Sequence, residues 1–168
     1  MTGCNSEEGI HQVRVPAELS ERRGAANPTL PGPPANAGGL QYKTPAGWAV
    51  KPNGPMRLAS LDVVAGDQKC DVSITKLGPG QPILENVNRW RGQVKLPPLK
   101  EDELELQPVR CGDAKGSLVQ AVGETETILA VLVPQADATW FVKLQGPNAM
   151  AKSQLEKLVA FTESIKLP

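Results

Sequence analysis

The feature that most constrains the fold is an unbroken apolar run, Ile128–Val133, in the second half of the chain. Successive side chains of an extended strand point to opposite faces of a sheet. A strand that is apolar at every position therefore has to be covered on both faces, which is typical of a strand inside a sheet rather than at its edge. The run predicts a central strand with other elements packed above and below it.

A second segment, Lys69–Leu77, alternates between apolar and polar residues, as a half-buried antiparallel strand does. Met56–Val64 precedes it across a Gly66-Asp67 turn, so we expect these two segments to form a hairpin. The remaining predicted strands are Leu40–Thr44, Trp48–Val50, Leu106–Cys111, Lys115–Val122, Ile128–Pro134 and Ala138–Gln145.

Two segments have helical spacing of their apolar residues. The first follows Pro82 and has Ile83, Leu84, Val87, Trp90 and Val94 on one face, and the second spans Pro147–Ile165. The order of elements is three or four strands, a helix, four strands and a helix. This order predicts an α+β domain over residues 40–168, with a single curved, mainly antiparallel sheet and two main helices packed on it.

Residues 1–39 differ from the rest of the chain. Gly24–Gly39 contains four prolines, four glycines and no charged residue. Proline lacks a backbone donor and glycine loses much conformational entropy on folding, so such a segment is hard to order. We expect residues 1–39 to be a disordered leader that acts as a tether.

The first residues, Met1-Thr2-Gly3-Cys4, resemble the end of a bacterial lipoprotein signal, in which a small pair precedes the cysteine that is lipidated. The apolar stretch of such a signal would have to lie upstream of Met1. We expect Cys4 to be a lipid-attachment site that holds the protein on the periplasmic side of the cell envelope. The alternative is a chance cysteine near the start of a cytoplasmic protein.

Three segments within residues 40–168 carry a resemblance to a known fold. They are Tyr42-Lys43-Thr44-Pro45-Ala46-Gly47-Trp48, Met56-Arg57-Leu58-Ala59 and Phe161-Thr162-Glu163-Ser164-Ile165. The chain resembles the PsbP-like fold of photosystem II extrinsic proteins, exported bacterial lipoproteins and a Ran-binding import factor. The string Asn86–Gln93 is similar to uncharacterised exported bacterial proteins. The resemblance implies an α/β/α sandwich that binds or scaffolds and is not an enzyme.

Composition argues against several classes of function. The 18 basic and 18 acidic residues balance, whereas nucleic-acid-binding proteins usually have a basic excess. The only histidine, His11, lies in the leader, so no Ser-His-Asp or Cys-His arrangement can be assembled within the domain. One histidine and three scattered cysteines indicate no metal site and no cofactor. Asp62, Asp67 and Asp71 lack the spacing of a calcium loop and are interpreted as turn and surface groups.

Two cysteines remain as a pair if Cys4 is acylated. Cys70 and Cys111 could form a disulfide in an oxidising compartment, provided that their Cα atoms lie within ~7 Å. The alternative is two buried free thiols, because cysteine packs as a small apolar residue.

The candidate binding surface lies on the first predicted helix. Its polar residues are Asn86, Asn88, Arg89, Arg91 and Gln93. Asn86, Arg89 and Gln93 share one face, while Trp90 should point to the buried side. Guanidinium and amide groups can bind a carboxylate, a phosphate or a peptide backbone. The alternative is that these side chains hold the helix and nearby loops in place.

Three functional hypotheses follow. The first is a non-catalytic, monomeric binding or scaffolding domain of the cell envelope, whose ligand is an unknown protein or small molecule and which touches the membrane only through a lipid anchor. The second is a cytosolic partner-binding module. The third, a small hydrolase, is disfavoured because the sequence offers no pair of nucleophile and base.

Overall fold

The protein is built around one seven-stranded open sheet; the structure, a computed structural model, describes residues 39–168. The strands are β1 (Trp48–Val50), β2 (Arg57–Ala65), β3 (Gln68–Leu77), β4 (Gln107–Cys111), β5 (Ala114–Val122), β6 (Glu126–Pro134) and β7 (Thr139–Pro147). Their order across the sheet is β1-β2-β3-β7-β6-β5-β4, and every neighbouring pair is antiparallel. The predicted hairpin of β2 and β3 is confirmed.

Within residues 39–168, three helices cover the two faces of the sheet. They are α1 (Ile83–Gln93), α2 (Asn148–Ser153) and α3 (Leu155–Ser164), and one 3-10 turn spans Glu101–Glu103. α1 packs Val87 and Trp90 on one face, against β5, β6 and β7. α2 and α3 pack Ala151, Leu158 and Phe161 on the other face. The predicted α+β class, with helices packed on an antiparallel sheet, is confirmed.

β6 has the environment that its apolar run predicted. Thr127–Val133 is buried throughout, and the strand lies inside the sheet between β5 and β7. Leu129, Val131 and Val133 belong to the core beneath α2 and α3, while Ile128, Ala130 and Leu132 belong to the core beneath α1. An apolar side chain at every position is required because both faces of this strand are covered.

Two predicted elements differ from the structure. Leu40–Thr44 forms no full strand, and only Gln41 bridges Lys166, through two backbone hydrogen bonds of 3.2 and 2.7 Å. The predicted closing helix is two helices that meet at Gln154, whose N–H bonds to Ala151 O at 3.1 Å. This bond to the third residue back tightens the turn and redirects the chain. The side chain of Gln154 also accepts a hydrogen bond of 2.9 Å from Trp48 Nε1.

Cys70 and Cys111 are buried free thiols, and burial raises the pKa of each to about 11. Cys70 lies on β3 and Cys111 on β4, and β7, β6 and β5 separate these strands. Four spacings between neighbouring strands amount to about 19 Å in a flat sheet. That separation is too large for a disulfide, so of the two alternatives the structure has the free thiols.

Cys4, His11 and the predicted leader, apart from Gly39, lie outside the described residues. Within residues 39–168, no helix is both long and apolar enough to cross a membrane.

Candidate functional site

The sheet face that carries α1 has an apolar half and a polar half. Under α1, β5, β6 and β7 present apolar side chains, among them Val119, Ile128 and Leu132. On the same face, the neighbouring strands β2 and β3 present Arg57, Asp62, Asp71, Ser73 and Thr75. α1 does not extend over this polar half, so one side of the helix borders an open and charged part of the sheet.

A cleft of about 240 Å³ lies at this border, between α1 and strands β2, β3 and β7. Three cationic side chains line it: Arg57 from β2, Arg89 from α1 and Lys143 from β7. Ser73 and Thr75 of β3 add two hydroxyl groups. No carboxylate of the described residues is among its lining side chains.

The floor of the cleft is formed by side chains of β2, β3 and β7, which the register of these strands places next to one another. Ser73 lies directly opposite Lys143, and Thr75 lies between Arg57 on one side and Phe141 on the other. Residues that are directly opposite in neighbouring strands point to the same face of a sheet. The pairing of β3 with β7 therefore places the ammonium group of Lys143 on the same face as the two hydroxyl groups.

Lys143 has amide neighbours rather than an acidic one. Its Nζ lies 3.4 Å from Gln93 Oε1 and 3.4 Å from Gln145 Oε1. Across residues 39–168, no aspartate or glutamate forms an ion pair with it. The side chain is half-buried between the buried Val142 and Leu144, and the carboxylate that acts on it, Asp71, is not in ion-pair contact with it.

The surroundings of Lys143 disfavour its positive charge. Burial lowers its pKa, and the positive charge of Arg57 lowers it further; Asp71 opposes the shift and Arg89 reinforces it. The net effect holds the pKa of Lys143 below its ordinary value of 10.5. An anion in the cleft would have the opposite effect, because an opposite charge favours the protonated amine.

Next to the cleft, five side chains of β2, β3 and the segment after β1 form an ion-pair network. Arg57 donates from Nη1 and Nη2 to the two oxygens of Asp71, at 3.0 and 2.9 Å. Lys51 Nζ lies 2.5 Å from a carboxylate oxygen of each of Asp62 and Asp71. Lys69 completes the network at 2.7 Å from Asp62. The network contains three cations and two carboxylates, so it has an excess of positive charge.

Both carboxylates of this network titrate below their ordinary range. Burial alone would raise the pKa of Asp62, but hydrogen bonds and charges from Lys51 and Lys69 outweigh it. The pKa of Asp71 is lowered in the same way, by hydrogen bonds and charges from Arg57 and Lys51 that outweigh burial. The interpretation of Asp62 and Asp71 as turn groups was wrong, because they lie within paired strands, where their side chains are partly exposed; Asp67 does lie in the turn between β2 and β3. Local sequence does not show which cations a neighbouring strand will supply.

Part of the predicted surface on α1 contributes to the cleft. Arg89 and Gln93 are exposed and line it, together with the buried Asn86. Asn86 donates to Pro82 O at 2.8 Å and accepts a hydrogen bond from Arg89 Nη2, so it both closes the first turn of α1 and orients the guanidinium group.

The other two polar residues of α1 hold the loop that follows the helix. Asn88 donates to Leu99 O at 3.0 Å and accepts from the Leu99 N–H at 2.7 Å. Arg91 Nε donates to Pro97 O at 2.8 Å. Trp90 is buried as expected, with its ring edge-on to Phe141 at 5.9 Å between centroids. The predicted set of five thus divides into residues at the cleft and residues that support the fold.

Sequence reasoning missed Arg57, Ser73, Thr75 and Lys143. One sign was available, because Lys143 is the only charged residue in the predicted strand Ala138–Gln145. A lone lysine among buried residues is costly unless it meets a partner. Its proximity to Arg89 depends on how β7 and α1 pack, which periodicity does not reveal. Among the described residues, no cluster of histidine, cysteine or acidic side chains could hold a metal ion.

Neither a family model nor a curated protein matches the sequence. Solved structures that are similar include a protein of Bacteroides thetaiotaomicron VPI-5482, with a TM-score of 0.45 and 9% identity over 77% of this chain and 45% of that one. Another is LpqN of Mycobacterium tuberculosis, involved in cell envelope biogenesis, with a TM-score of 0.41 and 13% identity over 76% of this chain and 83% of LpqN. This chain spans less than half of the Bacteroides protein.

Proposed function

We propose that this chain is a non-catalytic binding domain of the cell envelope and that the cleft beside α1 binds a small anionic ligand. The observation that carries the proposal is the convergence of Arg57, Arg89 and Lys143 on a cleft without a lining carboxylate. Like charges that converge in a partly desolvated site repel one another, and an anion placed among them relieves this repulsion.

The side chains of the cleft suit an anion chemically. Arg89 uses Nη2 to bond Asn86, which leaves its other N–H groups for a ligand. Lys143 can donate up to three hydrogen bonds, and Ser73 and Thr75 can each donate one. Hydrogen bonds from charged donors to an anion are stronger than those between neutral groups.

The third hypothesis, a small hydrolase, has one observation in its favour, because Ser73 lies directly opposite Lys143. Catalysis by a serine and a lysine needs the base within hydrogen-bonding distance of the nucleophile. Ser73 Oγ and Lys143 Nζ form no hydrogen bond in the structure. The amine instead faces the amides of Gln93 and Gln145. This geometry favours binding over acyl transfer. We expect no turnover of p-nitrophenyl acetate above the rate of a Ser73→Ala variant.

Anion binding can be tested with the full chain at low ionic strength, where electrostatic attraction is least screened. The Trp90 indole lies at the cleft, so its N–H resonance should shift when millimolar phosphate or benzoate is added. The shift should disappear in Lys143→Gln and Arg89→Gln. It should persist in Arg110→Gln, which makes the same change on the exposed face of β4. A Trp90 signal that responds to none of the anions contradicts the proposal.

The envelope location rests on the Cys4 motif, the Pro/Gly-rich tether after it and the resemblance to exported PsbP-like proteins. We expect protein purified from its native host to have an N-terminal Cys4 with the added mass of a diacylglyceryl group. A Cys4→Ser variant should lose that mass and leave the membrane fraction. An unmodified mass together with recovery from the cytosol would support the cytosolic partner-binding alternative instead.

A further inference from the structure

We infer that the ligand group recognised by the cleft is the dianion of a phosphate monoester. This inference rests on the proposed anion-binding function. The first argument is charge: the ion-pair network already has one cation more than it has carboxylates, and Arg89 and Lys143 bring two further cations to the same face. A monoanion would leave much of this positive charge uncompensated, whereas a dianion compensates both added cations.

The second argument is the directions from which donors reach the cleft. Arg89 approaches from the helix wall, Lys143 from β7, and the hydroxyl groups of Ser73 and Thr75 from β3. A planar carboxylate can be satisfied by the fork of one guanidinium group. The three terminal oxygens of a phosphate monoester are arranged around a tetrahedral centre and can accept from several directions at once.

The third argument is the size and the wall of the cleft. A water molecule occupies about 30 Å³ in the liquid, so a cleft of about 240 Å³ has room for more than a phosphate group alone. Leu77, Trp90 and Phe141 form an apolar wall beside the cations. This wall can pack against an organic substituent, which favours an ester over inorganic phosphate.

Isothermal titration calorimetry of the full chain tests the inference with three probes of similar size. Phenyl phosphate is a monoester dianion at neutral pH, methyl phenyl phosphate is a monoanionic diester, and benzoate is a monoanionic carboxylate. We expect phenyl phosphate to bind at least about tenfold more tightly than either monoanion, because it forms additional charged hydrogen bonds.

Matched variants locate the binding site. Lys143→Gln and Arg89→Gln should each weaken the binding of phenyl phosphate by about tenfold or more. Arg110→Gln removes the same kind of charge from exposed β4 and should leave the affinity unchanged. Thermal unfolding of each variant shows whether it is folded under the conditions of the titration.

A phosphate monoester occurs in soluble metabolites and in the headgroup of phosphatidic acid, and vesicles separate the two sources. Phosphatidylcholine vesicles with phosphatidic acid are compared with vesicles that hold the same fraction of phosphatidylglycerol, a diester. Binding to phosphatidic acid that Lys143→Gln abolishes supports the inference with a lipid as the source. Binding of phenyl phosphate without vesicle binding supports it with a soluble ester as the source.

Three results would contradict the inference in different ways. Equal or tighter binding of benzoate or of the diester overturns the choice of a monoester dianion and leaves the anion-binding function intact. Absence of binding of every probe, in solution and on vesicles, overturns both. If the affinity is unchanged in Lys143→Gln and also in Arg89→Gln, the binding site lies elsewhere. That result overturns the anion-binding function and the choice of a monoester dianion for this cleft.

Discussion

At the scale of single residues, the charge of Lys143 is unfavourable for folding, and we propose that it serves to bind an anion. It lies in β7 between the buried Val142 and Leu144, and its ammonium group is near Arg57 and Arg89. Burial and these two positive charges lower its pKa. In the free protein the charged lysine is therefore less favourable than it is in the unfolded chain, where water surrounds it.

We expect Lys143→Met to raise the free energy of unfolding by about 1 kcal/mol at neutral pH, because it removes a half-buried charge beside two arginines. Lys143→Arg, which keeps the charge, should give no such gain. Urea unfolding measures both variants. Since the folded pKa lies below 10.5, the wild-type protein should gain stability as pH rises through that folded pKa towards 10.5. The Met variant should lack this gain, and a marked loss of stability in Lys143→Met contradicts the interpretation.

At the scale of elements, the contact between β3 and β7 joins the two halves of the sheet. Gly146 of β7 lies against β3 so closely that a Cβ atom there would be 2.4 Å from Cys70 Sγ and 3.0 Å from Lys69 O. Real Cβ atoms do not approach other atoms so closely, so a side chain at this position would push the strands apart. The same pair of strands places Ser73 opposite Lys143 in the cleft.

Gly146→Ala should therefore destabilise the protein by about 1–3 kcal/mol, the usual cost of overpacking a core. Gly78→Ala is a matched control, because nothing lies within 4 Å of a Cβ atom at Gly78. Thermal unfolding compares the two variants. If Gly146→Ala is as stable as Gly78→Ala, the close packing described for β3 and β7 is incorrect.

The loop after α1 depends on one side chain of the helix. We expect Asn88→Ala to lower the free energy of unfolding by about 1–2 kcal/mol, because it removes both hydrogen bonds to the Leu99 backbone. Hydrogen exchange should show faster exchange of the Leu99 N–H, whose acceptor is lost. Affinity for phenyl phosphate should not change, since Asn88 does not line the cleft. A loss of affinity with unchanged stability would contradict this structural role and indicate that Asn88 contributes to binding.

At the scale of the whole molecule, the ion-pair network connects the end of β1 with β2 and β3. The pKa values of Asp62 and Asp71 are lowered from 3.8 because their cationic partners outweigh the effect of burial. Each carboxylate therefore stabilises the folded state above pH 3.8, and this contribution is lost as pH falls through the lower, folded pKa.

We expect the free energy of unfolding to fall as pH is lowered through 3.8 towards the folded pKa values, because the carboxylates of the unfolded chain bind protons there before those of the folded protein do. The double variant Asp62→Asn with Asp71→Asn should be less stable at neutral pH, because it leaves Lys51, Arg57 and Lys69 without partners. Its stability should depend less on pH over the same range. Urea unfolding at a series of pH values measures both slopes, and equal slopes would show that other groups cause the loss at acid pH.

The sequence by itself determined which strands and helices form, and which of their faces are buried, wherever apolar residues follow a regular pattern. The run Ile128–Val133 indicated a strand covered on both faces, and the spacing of Val87 and Trp90 indicated the buried side of α1. Such patterns can be read because the face that a residue presents depends only on its position along its own strand or helix. The same reasoning identified Arg89 and Gln93 as candidate binding residues.

Only the tertiary structure decided which strands pair with one another and which side chains they bring together. The order β3-β7-β6 is a choice among many strand pairings, and it is decided by the fit of complete apolar faces across the sheet. That choice placed Lys143 opposite Ser73 and near Arg89, and it kept Cys70 and Cys111 apart. A cleft between a helix and three strands has no counterpart in local periodicity, because its residues come from segments that meet only when the core packs.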